Sequence, residues 1–337
     1  MIQEITDDLH WEDELKSAGC FDFYHTYDYH QLAKQHDEEL VMVKYSVGTQ
    51  VVLLPFLRRH IEGTSWFDLT SVYGYAGPVS RVDENDFDTV LFADEIMQYF
   101  QSNSIVSVFS RLHPFFKSQP FVLQHIGEIA NVGKTVNIDV SQPLEHSRKS
   151  YNKSLKNQVN KLRRNASVRL AVSEADLDEF VSIYTETMER VGAKPEYFFS
   201  REYFETFLKM RSCVTEILLV ETGDPKVAIA GSMFVTTNGI VQFHLSGTLN
   251  EYLKSRPAKL FLDEMRIKAT ESHCHFFNLG GGVGGREDSL FEFKSAFSED
   301  IRDFKVWKLV VDQHKYDYLS SEVTEAEQDF FPAYRSV

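Results

Sequence analysis

Apolar positions in the second half of the chain recur with the periods of strands and helices. Three β-rich runs, at 216–221, 227–235 and 240–245, are separated by turns containing glycine, asparagine and proline, which predicts an antiparallel meander. A helix with a capping signal at Ser173 and a second helix from Ser200 precede this meander. The predicted order from residue 168 onward is strand, two helices, three strands, helix, strand, helix and final strand.

The first half shows a weaker form of the same order. Residues 22–25 predict a short strand that precedes a helix, and Ser46-Val47-Gly48 predicts the turn of a hairpin between two β-rich runs. Apolar spacing over 86–101 predicts a helix, followed by strands at 105–112 and 136–140. The second half therefore repeats the first, which indicates two related domains.

The length of the chain agrees with that repeat. Its 337 residues suit two domains at roughly 100–200 residues each. We expect an α/β (α+β) protein with a degenerate domain over 1–143 and a second domain over 144–337.

Composition restricts the class of protein. Hydrophobic residues make up 43% of the chain and charged residues 25%, which is typical of a globular protein. No run of 18 apolar residues occurs, so no transmembrane segment is predicted, and the acidic N-terminus lacks the core of a signal peptide. The 3 cysteines are scattered, which favours the reducing cytoplasm. At a net charge of −15, a phosphate-binding site must be a local basic patch.

A glycine-rich stretch lies between a predicted strand end and a predicted helix. Five of the six residues in 280–285 are glycine, and bare backbone there can direct amides at a ligand. Gly280, Gly282 and Gly285 match a dinucleotide-binding spacing, but the second βαβ unit and its acidic residue are missing. No Gly-Lys-Ser/Thr follows, which excludes a P-loop. We therefore expect Gly281 and Gly282 to line a ligand cleft.

The residues after this loop resemble a known family. The loop, the segment Ser-Leu-Phe-Glu-Phe-Lys-Ser-Ala-Phe at 289–297 and a final strand with Trp307 are similar to the C-terminal part of the Fem-type aminoacyltransferases, within the GNAT-fold acyltransferases. The most specific element is F-K-x-x-F, formed by Phe293, Lys294 and Phe297. The resemblance implies two tandem GNAT-like domains, with Lys294 stabilising charge during acyl transfer to an amine. No long heptad helices are inserted, so we expect the form without a coiled-coil arm.

A second candidate region is strongly basic. Residues 146–173 contain no acid but eight cations, namely Arg148, Lys149, Lys153, Lys156, Lys161, Arg163, Arg164 and Arg169. This stretch is either a solvated helix face or a phosphate clamp for a nucleotide-sugar or for tRNA. The family resemblance implies that Lys156, at the start of a K-N-x-V-x-K helix, contacts a substrate pyrophosphate. Lys153, Arg163 and Arg164 are further candidates.

Other side chains have two interpretations each. Tyr73 and Tyr75, in a Tyr-Gly-Tyr-x-Gly-Pro segment that resembles one in Fem-like relatives, belong to a packed turn or to a stacking platform for a ligand. His244 is a core histidine or a proton acceptor. Asp288 caps a helix or orients the incoming amine. No metal site is predicted at His273-Cys274-His275, because strand alternation points the cysteine away from both histidines.

The acyl donor remains open between two molecules. An acetyl-CoA site of the GNAT type needs a glycine-rich loop before its helix, but this chain has Arg256-Pro257 there, and proline lacks an amide donor. Aminoacyl-tRNA does not need that loop. No tightly bound cofactor is expected.

We predict a cytoplasmic acyltransferase of cell-envelope or polysaccharide biosynthesis. Its acceptor would be an amine on a phosphorylated, nucleotide-sugar, peptidoglycan-type or lipid-linked precursor. The alternatives are an acetyl-CoA-dependent N-acetyltransferase acting on an amino sugar, and a tandem-GNAT module that binds a ligand without catalysis.

Overall fold

The computed structural model describes residues 1–321, 323 and 330–336. The chain divides into two compact units. Unit 1 contains Met1–Val132 and the described part of Asp303–Val337, and unit 2 contains Gly133–Arg302. These units do not coincide with the predicted segments 1–143 and 144–337, because the last strand of the chain returns to the sheet of unit 1.

The secondary structure elements are as follows. The strands are β1 (Ile2–Ile5), β2 (Glu38–Val47), β3 (Gln50–His60), β4 (Phe67–Thr70), β5 (Val79–Arg81), β6 (Ile105–Arg111), β7 (Glu128–Asp139), β8 (Ala166–Leu170), β9 (Val214–Thr222), β10 (Val227–Thr237), β11 (Ile240–Thr248), β12 (Phe276–Gly280) and β13 (Asp300–Val310). The helices are α1 (Asp8–Ala18), α2 (Tyr27–Ala33), α3 (Thr89–Ser102), α4 (Ser118–Val122), α5 (Leu144–Lys149), α6 (Lys153–Asn165), α7 (Glu174–Val191), α8 (Arg201–Leu208), α9 (Ala258–Glu271), α10 (Ser289–Ser295) and α11 (Gln313–Leu319).

Unit 1 is built on a sheet of order β1-β2-β3-β4-β6-β13, with β5 beside β3. The predicted hairpin is β2 and β3. In β13, Val306 pairs with Arg111 and Val310 with Ser107, and the fully buried Trp307 is part of the unit 1 core. The strand predicted at 22–25 is wrong: Asp22 caps a 3-10 turn over Phe23–His25.

Unit 2 is built on a sheet of order β7-β12-β11-β10-β9-β8. The elements from β8 to β13 follow the predicted order, and the last of them, β13, belongs to the sheet of unit 1. Apolar residues of α6, α9 and α10 form one core with the sheet, and Phe180 of α7 lies against Gly231 of β10. The capping box predicted at Ser173 is present, with Asp176 as its acidic partner.

The parallel pair in unit 2 is short. The register of β11 with β12 covers only Ile240–Gln242 and Phe276–Asn278. On its other side, β11 pairs with β10, and the register skips His244 because Met233 pairs with Leu245 and Phe234 with Phe243. A β-bulge of this kind bends its strand. β11 and β12 are therefore paired at one end and unpaired beyond Gln242.

These features confirm the predicted fold class, a mixed α/β protein of tandem GNAT-like organisation. In the described part of the chain the longest helix is α7, with 18 residues, and no coiled-coil arm is present there. Among the same residues, no helix combines the length and the apolar character needed to cross a bilayer.

Candidate functional site

The glycine loop is a tightly folded corner. Gly280, Gly284 and Gly285 have positive φ of 72°, 62° and 80°, a conformation that side-chain-bearing residues rarely adopt. A Cβ on Gly281 would collide with the carbonyl oxygen of Lys134, and one on Gly282 with that of Arg286. The loop therefore requires glycine both for its backbone angles and for its close contacts.

Asp288 fixes this corner to α10. Its carboxylate accepts hydrogen bonds from the amides of Leu290 and Phe291 at 3.1 and 3.0 Å, and from the amide of Val283 at 3.0 Å. The hydrogen bonds from the backbone amides of Phe291 and Val283 hold the pKa of Asp288 below its usual value. The predicted capping role is thus present. Its alternative role, orienting an incoming amine, stays a prediction.

Lys294 points into the protein. Its side chain is buried, and Nζ donates a hydrogen bond of 2.7 Å to the carbonyl oxygen of Gly281. Nζ also lies 5.6 Å from the centroid of the Phe243 ring. Burial lowers the pKa of Lys294 to about 8, and the charge of Asp288 opposes this shift.

The two contacts of Lys294 locate its ammonium in the sheet. Phe243 is the first β11 residue beyond the part paired with β12, and Gly281 follows the last residue of β12. The ammonium therefore lies where the two parallel strands separate. Phe293 lies next to Lys294 on α10, and Phe297 follows the end of that helix. The buried Phe297 packs edge-on against Tyr151 with ring centroids 5.2 Å apart.

His244 lies elsewhere. As the extra residue of the β11 bulge, it packs against α8, with its ring 5.0 Å from that of Phe207 and its Nε2 3.4 Å from the hydroxyl of Tyr203. Burial lowers the pKa of His244 to about 3, so the ring is neutral near pH 7. Its neighbour Phe243 faces α9 and Lys294, so the structure does not bring His244 to the ammonium.

The basic stretch divides into cations with different partners. Arg163 forms ion pairs with Asp263 at 2.8 Å and Glu264 at 2.9 Å, which fix α6 to α9. Lys156 donates to the carbonyl oxygen of Lys149 at 3.0 Å. Arg169 is paired with three acids of unit 2, Asp176, Glu179 and Glu221. Lys153, Lys161 and Arg164 lie exposed on α6.

A cleft of about 430 Å³ opens between α6 and the 250–257 segment that precedes α9. Its lining residues are Gln158, Lys161, Leu162, Asn165, Ala166, Thr222, Ile229, Tyr252, Lys254, Ser255 and Arg256. The sequence did not predict that Lys254 and Arg256 line the same cleft as Lys161. The stretch 252–259, which is basic and contains no acid, could have indicated a second cationic segment.

In unit 1, Tyr73 and Tyr75 belong to a fixed turn. The carbonyl oxygen of Ala76 accepts hydrogen bonds from the buried side chains of His25 at 2.9 Å and Gln119 at 2.8 Å. Tyr75 packs edge-on against Phe304, whereas Tyr73 is 60% exposed and its ring centroid lies 5.6 Å from the guanidinium carbon of Arg111. The stacking role of both tyrosines stays a prediction.

Comparison with known proteins gives a family match for part of the chain. Residues 204–319, which include the glycine loop and α10, match the model of the FemAB family. The Fem-type resemblance is confirmed. No match was found among the curated proteins.

Solved structures share the fold of this chain. The structure of FemX is 11% identical, covers 94% of this chain and 99% of its own, and has a TM-score of 0.72. L-PGS from Bacillus licheniformis is 12% identical over 91% of this chain and 93% of its own, with a TM-score of 0.57. A tandem GNAT protein from the clavulanic acid biosynthesis pathway is 9% identical over 91% and 98%, with a TM-score of 0.51. Together with the family match, these similarities support the acyltransferase class.

Proposed function

We propose that this Fem-type chain transfers an aminoacyl group from aminoacyl-tRNA to an amine of a cell-envelope precursor, and that Lys294 is a catalytic residue. The observation that carries the proposal is the place of the Lys294 ammonium, buried where β11 and β12 separate and beside the glycine loop. A cation in such a site acts on developing charge more strongly than one in water.

The proposed step is an aminolysis. The amine nitrogen forms a bond to the ester carbonyl carbon, the bond from that carbon to the ribose oxygen breaks, and the proton lost by nitrogen ends on the released ribose hydroxyl. The carbonyl oxygen carries negative charge in between. An ammonium has three N–H donors, and the bond to Gly281 uses one of them. The amides of Gly281 and Gly282 are proposed as further contacts to the acyl group.

The start of α9 favours aminoacyl-tRNA over acetyl-CoA. Pro257 has no amide hydrogen, and the amides of Lys259 and Leu260 donate to Arg256 and Pro257 at 3.2 and 2.8 Å. These two amides are thus already used within the chain, which leaves fewer donors for the pyrophosphate of a coenzyme A. The acetyl-CoA reaction and the non-catalytic module are the two alternatives that an experiment must exclude.

The acceptor contacts also belong to this proposal. In unit 2, the phosphate-binding candidates are Lys153, Lys156, Arg163 and Arg164. In unit 1, the candidates for stacking on the acceptor are Tyr73 and Tyr75. Activity in the cytoplasm remains part of the same proposal.

The test uses purified protein, aminoacyl-tRNA or acetyl-CoA, and a panel of amino-sugar nucleotides and peptidoglycan-type precursors, with products read by mass spectrometry. We expect aminoacyl transfer by the wild type and loss of about 10²–10³-fold in kcat for Lys294→Met. A melting temperature and circular dichroism spectrum measured on the same sample establish that the variant is folded. Full activity of folded Lys294→Met removes the catalytic role, and acetyl transfer alone identifies the acetyl-CoA reaction.

A further inference from the structure

Two buried amide side chains lie at the point where β11 and β12 separate. Gln242 and Asn278 form the last pair in the register of these strands, and both are at most 1% exposed. The side-chain nitrogen of Asn278 donates a hydrogen bond of 2.9 Å to the side-chain oxygen of Gln242. This bond joins the two strands at the base of the fork that they form beyond Gln242.

The two amides lie on the face of the sheet that is turned away from the core shared with α6, α9 and α10. Val241, Phe277 and Leu279 belong to that core, and strand alternation turns Gln242 and Asn278 to the opposite face. Burial of an amide is costly unless it is hydrogen-bonded. A buried and hydrogen-bonded polar pair favours one particular geometry of the strands around it.

Asn278 has a second bond, which holds the start of the glycine loop. Its side-chain oxygen accepts a hydrogen bond of 3.0 Å from the amide of Gly280. This bond spans a bulge, since the register of β12 with β7 skips Leu279. At Gly280 a positive φ of 72° turns the chain toward Gly281. The same asparagine therefore fixes both the strand pairing and the direction in which the loop leaves β12.

These two bonds act on both neighbours of the Lys294 ammonium. Phe243, whose ring centroid lies 5.6 Å from Nζ, directly follows Gln242. Gly281, whose carbonyl oxygen accepts from Nζ at 2.7 Å, directly follows Gly280. The space around the ammonium therefore depends on how far the two strands separate.

We propose that Gln242 and Asn278 are positioning residues for Lys294, because the hydrogen bond between their side chains sets the width of the fork that holds its ammonium. The proposal rests on the proposed function, in which that ammonium faces the reacting carbonyl. Both amides act through the backbone, since they lie on the other face of the sheet from the Phe243 ring. Without their bond, the strands would move apart and water would weaken the effect of the charge.

Two single variants remove the bond between the strands from opposite sides. Gln242→Leu removes the acceptor, and Asn278→Ser removes the donor but keeps an oxygen for the amide of Gly280, two residues further on. The double variant completes a double-mutant cycle. The matched control is Ile217→Val, which removes a methylene group from a residue of β9 that is 1% exposed and is separated from β11 by β10.

Competitive labelling of lysines measures the environment of Nζ without any transfer reaction. The folded protein receives a trace of deuterated acetic anhydride at a series of pH values, and it is then unfolded and acetylated completely with unlabelled reagent. Trypsin afterwards cuts only at arginine, so Lys294 is the one lysine of peptide 287–302 and Lys194 is that of peptide 191–201. Lys194, with its side chain 79% exposed, is the reference for reagent concentration.

We expect the labelling profile of the wild type to give a pKa of about 8 for Lys294. In each single variant, entry of water should raise this pKa toward the ordinary lysine value near 10.4. The kcat at pH 7 should fall about tenfold, because a displaced and hydrated ammonium stabilises the reacting atoms less. The double variant should resemble either single variant, since all three lose the same bond. Ile217→Val should melt at a lower temperature and keep the wild-type labelling profile.

An unchanged labelling profile in the single variants would overturn the proposal, and so would effects that add in the double variant. A lower melting temperature with that unchanged profile would leave the amides a structural role only. Circular dichroism establishes folding, and Asn278→Ser, the smaller change, suffices if Gln242→Leu does not fold. The two proposals fail separately: full transfer activity of Lys294→Met removes the catalytic role, while labelling still decides whether the amides hold the ammonium.

Discussion

Unit 2 has two cationic regions in which positive charge is held differently. On α10, one lysine is buried and donates to a single backbone carbonyl, that of Gly281. In the cleft beside α6, Lys161, Lys254 and Arg256 are grouped and exposed. A single buried charge suits the stabilisation of one reacting atom, whereas grouped exposed charges suit binding of a polyanion. If the proposed function is right, the buried lysine serves the chemistry and the exposed cations serve binding.

The largest expected effect is on steady-state kinetics, in which the two regions should change different constants. Lys294→Met is expected to lower kcat by about 10²–10³-fold with little change in the KM for the donor, because it removes an interaction made in the transition state. The cleft variant Lys161→Gln/Lys254→Gln/Arg256→Gln is expected to raise the donor KM and leave kcat within about twofold. The division is wrong if both variants lower kcat equally.

The corner that holds Lys294 should be intolerant of small changes. In Gly282→Ala, the new methyl group would meet the carbonyl oxygen of Arg286 and the carboxylate of Asp288. We expect the free energy of unfolding to fall by about 1–3 kcal/mol, as for other overpacked sites, measured by urea denaturation. Gly284→Asn is the matched control, since space surrounds that position and asparagine tolerates its positive φ. Equal stability of Gly282→Ala and wild type would contradict a tightly packed loop.

Activity should depend on pH through Lys294. The proposed step needs the ammonium form of Lys294, whose pKa is lowered to about 8, so transfer should decline as pH rises through about 8. Lys294→Arg should keep whatever activity it has above that pH, since a guanidinium stays charged. The measurement is the pH profile of kcat for both proteins on the same substrates. A decline in the arginine variant at the same pH would assign the titration to another group.

Replacing His244 should have the smallest effect on chemistry. His244→Phe keeps a ring against Phe207 and removes the nitrogens, and we expect kcat to remain within about threefold. Burial lowers the pKa of this histidine in the folded protein to about 3. Below the unfolded-state pKa near 6.5, the unfolded chain binds a proton that the folded protein does not, so the free energy of unfolding falls with pH. The variant should therefore lose less stability than the wild type between about pH 6 and 4. A hundredfold fall in kcat would restore His244 as a proton acceptor.

Local signals in the sequence were sufficient for some of this structure. The cap at Ser173, the β2–β3 hairpin and the positive φ of Gly280, Gly284 and Gly285 depend on neighbouring residues, and each is present. The order of elements from β8 to β13 followed from apolar periodicity, turn residues and a capping signal.

Long-range partners were beyond those signals. The ion pair of Arg163 with Asp263 joins residues that are 100 positions apart in the sequence. Arg256 and Lys161 line one cleft only because α9 packs against α6. The bulge that turns His244 toward α8 depends on the register of β11 with β10, which periodicity does not encode.

The return of β13 to the sheet of unit 1 has a consequence for biosynthesis. Trp307, with its indole Nε1 donating to the carbonyl oxygen of Ile126 at 2.7 Å, fills the core of a unit whose other strands are translated first. When residues 1–132 leave the ribosome, β4 is available to pair with β6, but β13, the neighbour on its other side, has not yet been made. Until β13 has been translated, we expect the N-terminal part of unit 1 to expose one sheet edge and an apolar gap that chaperones can bind.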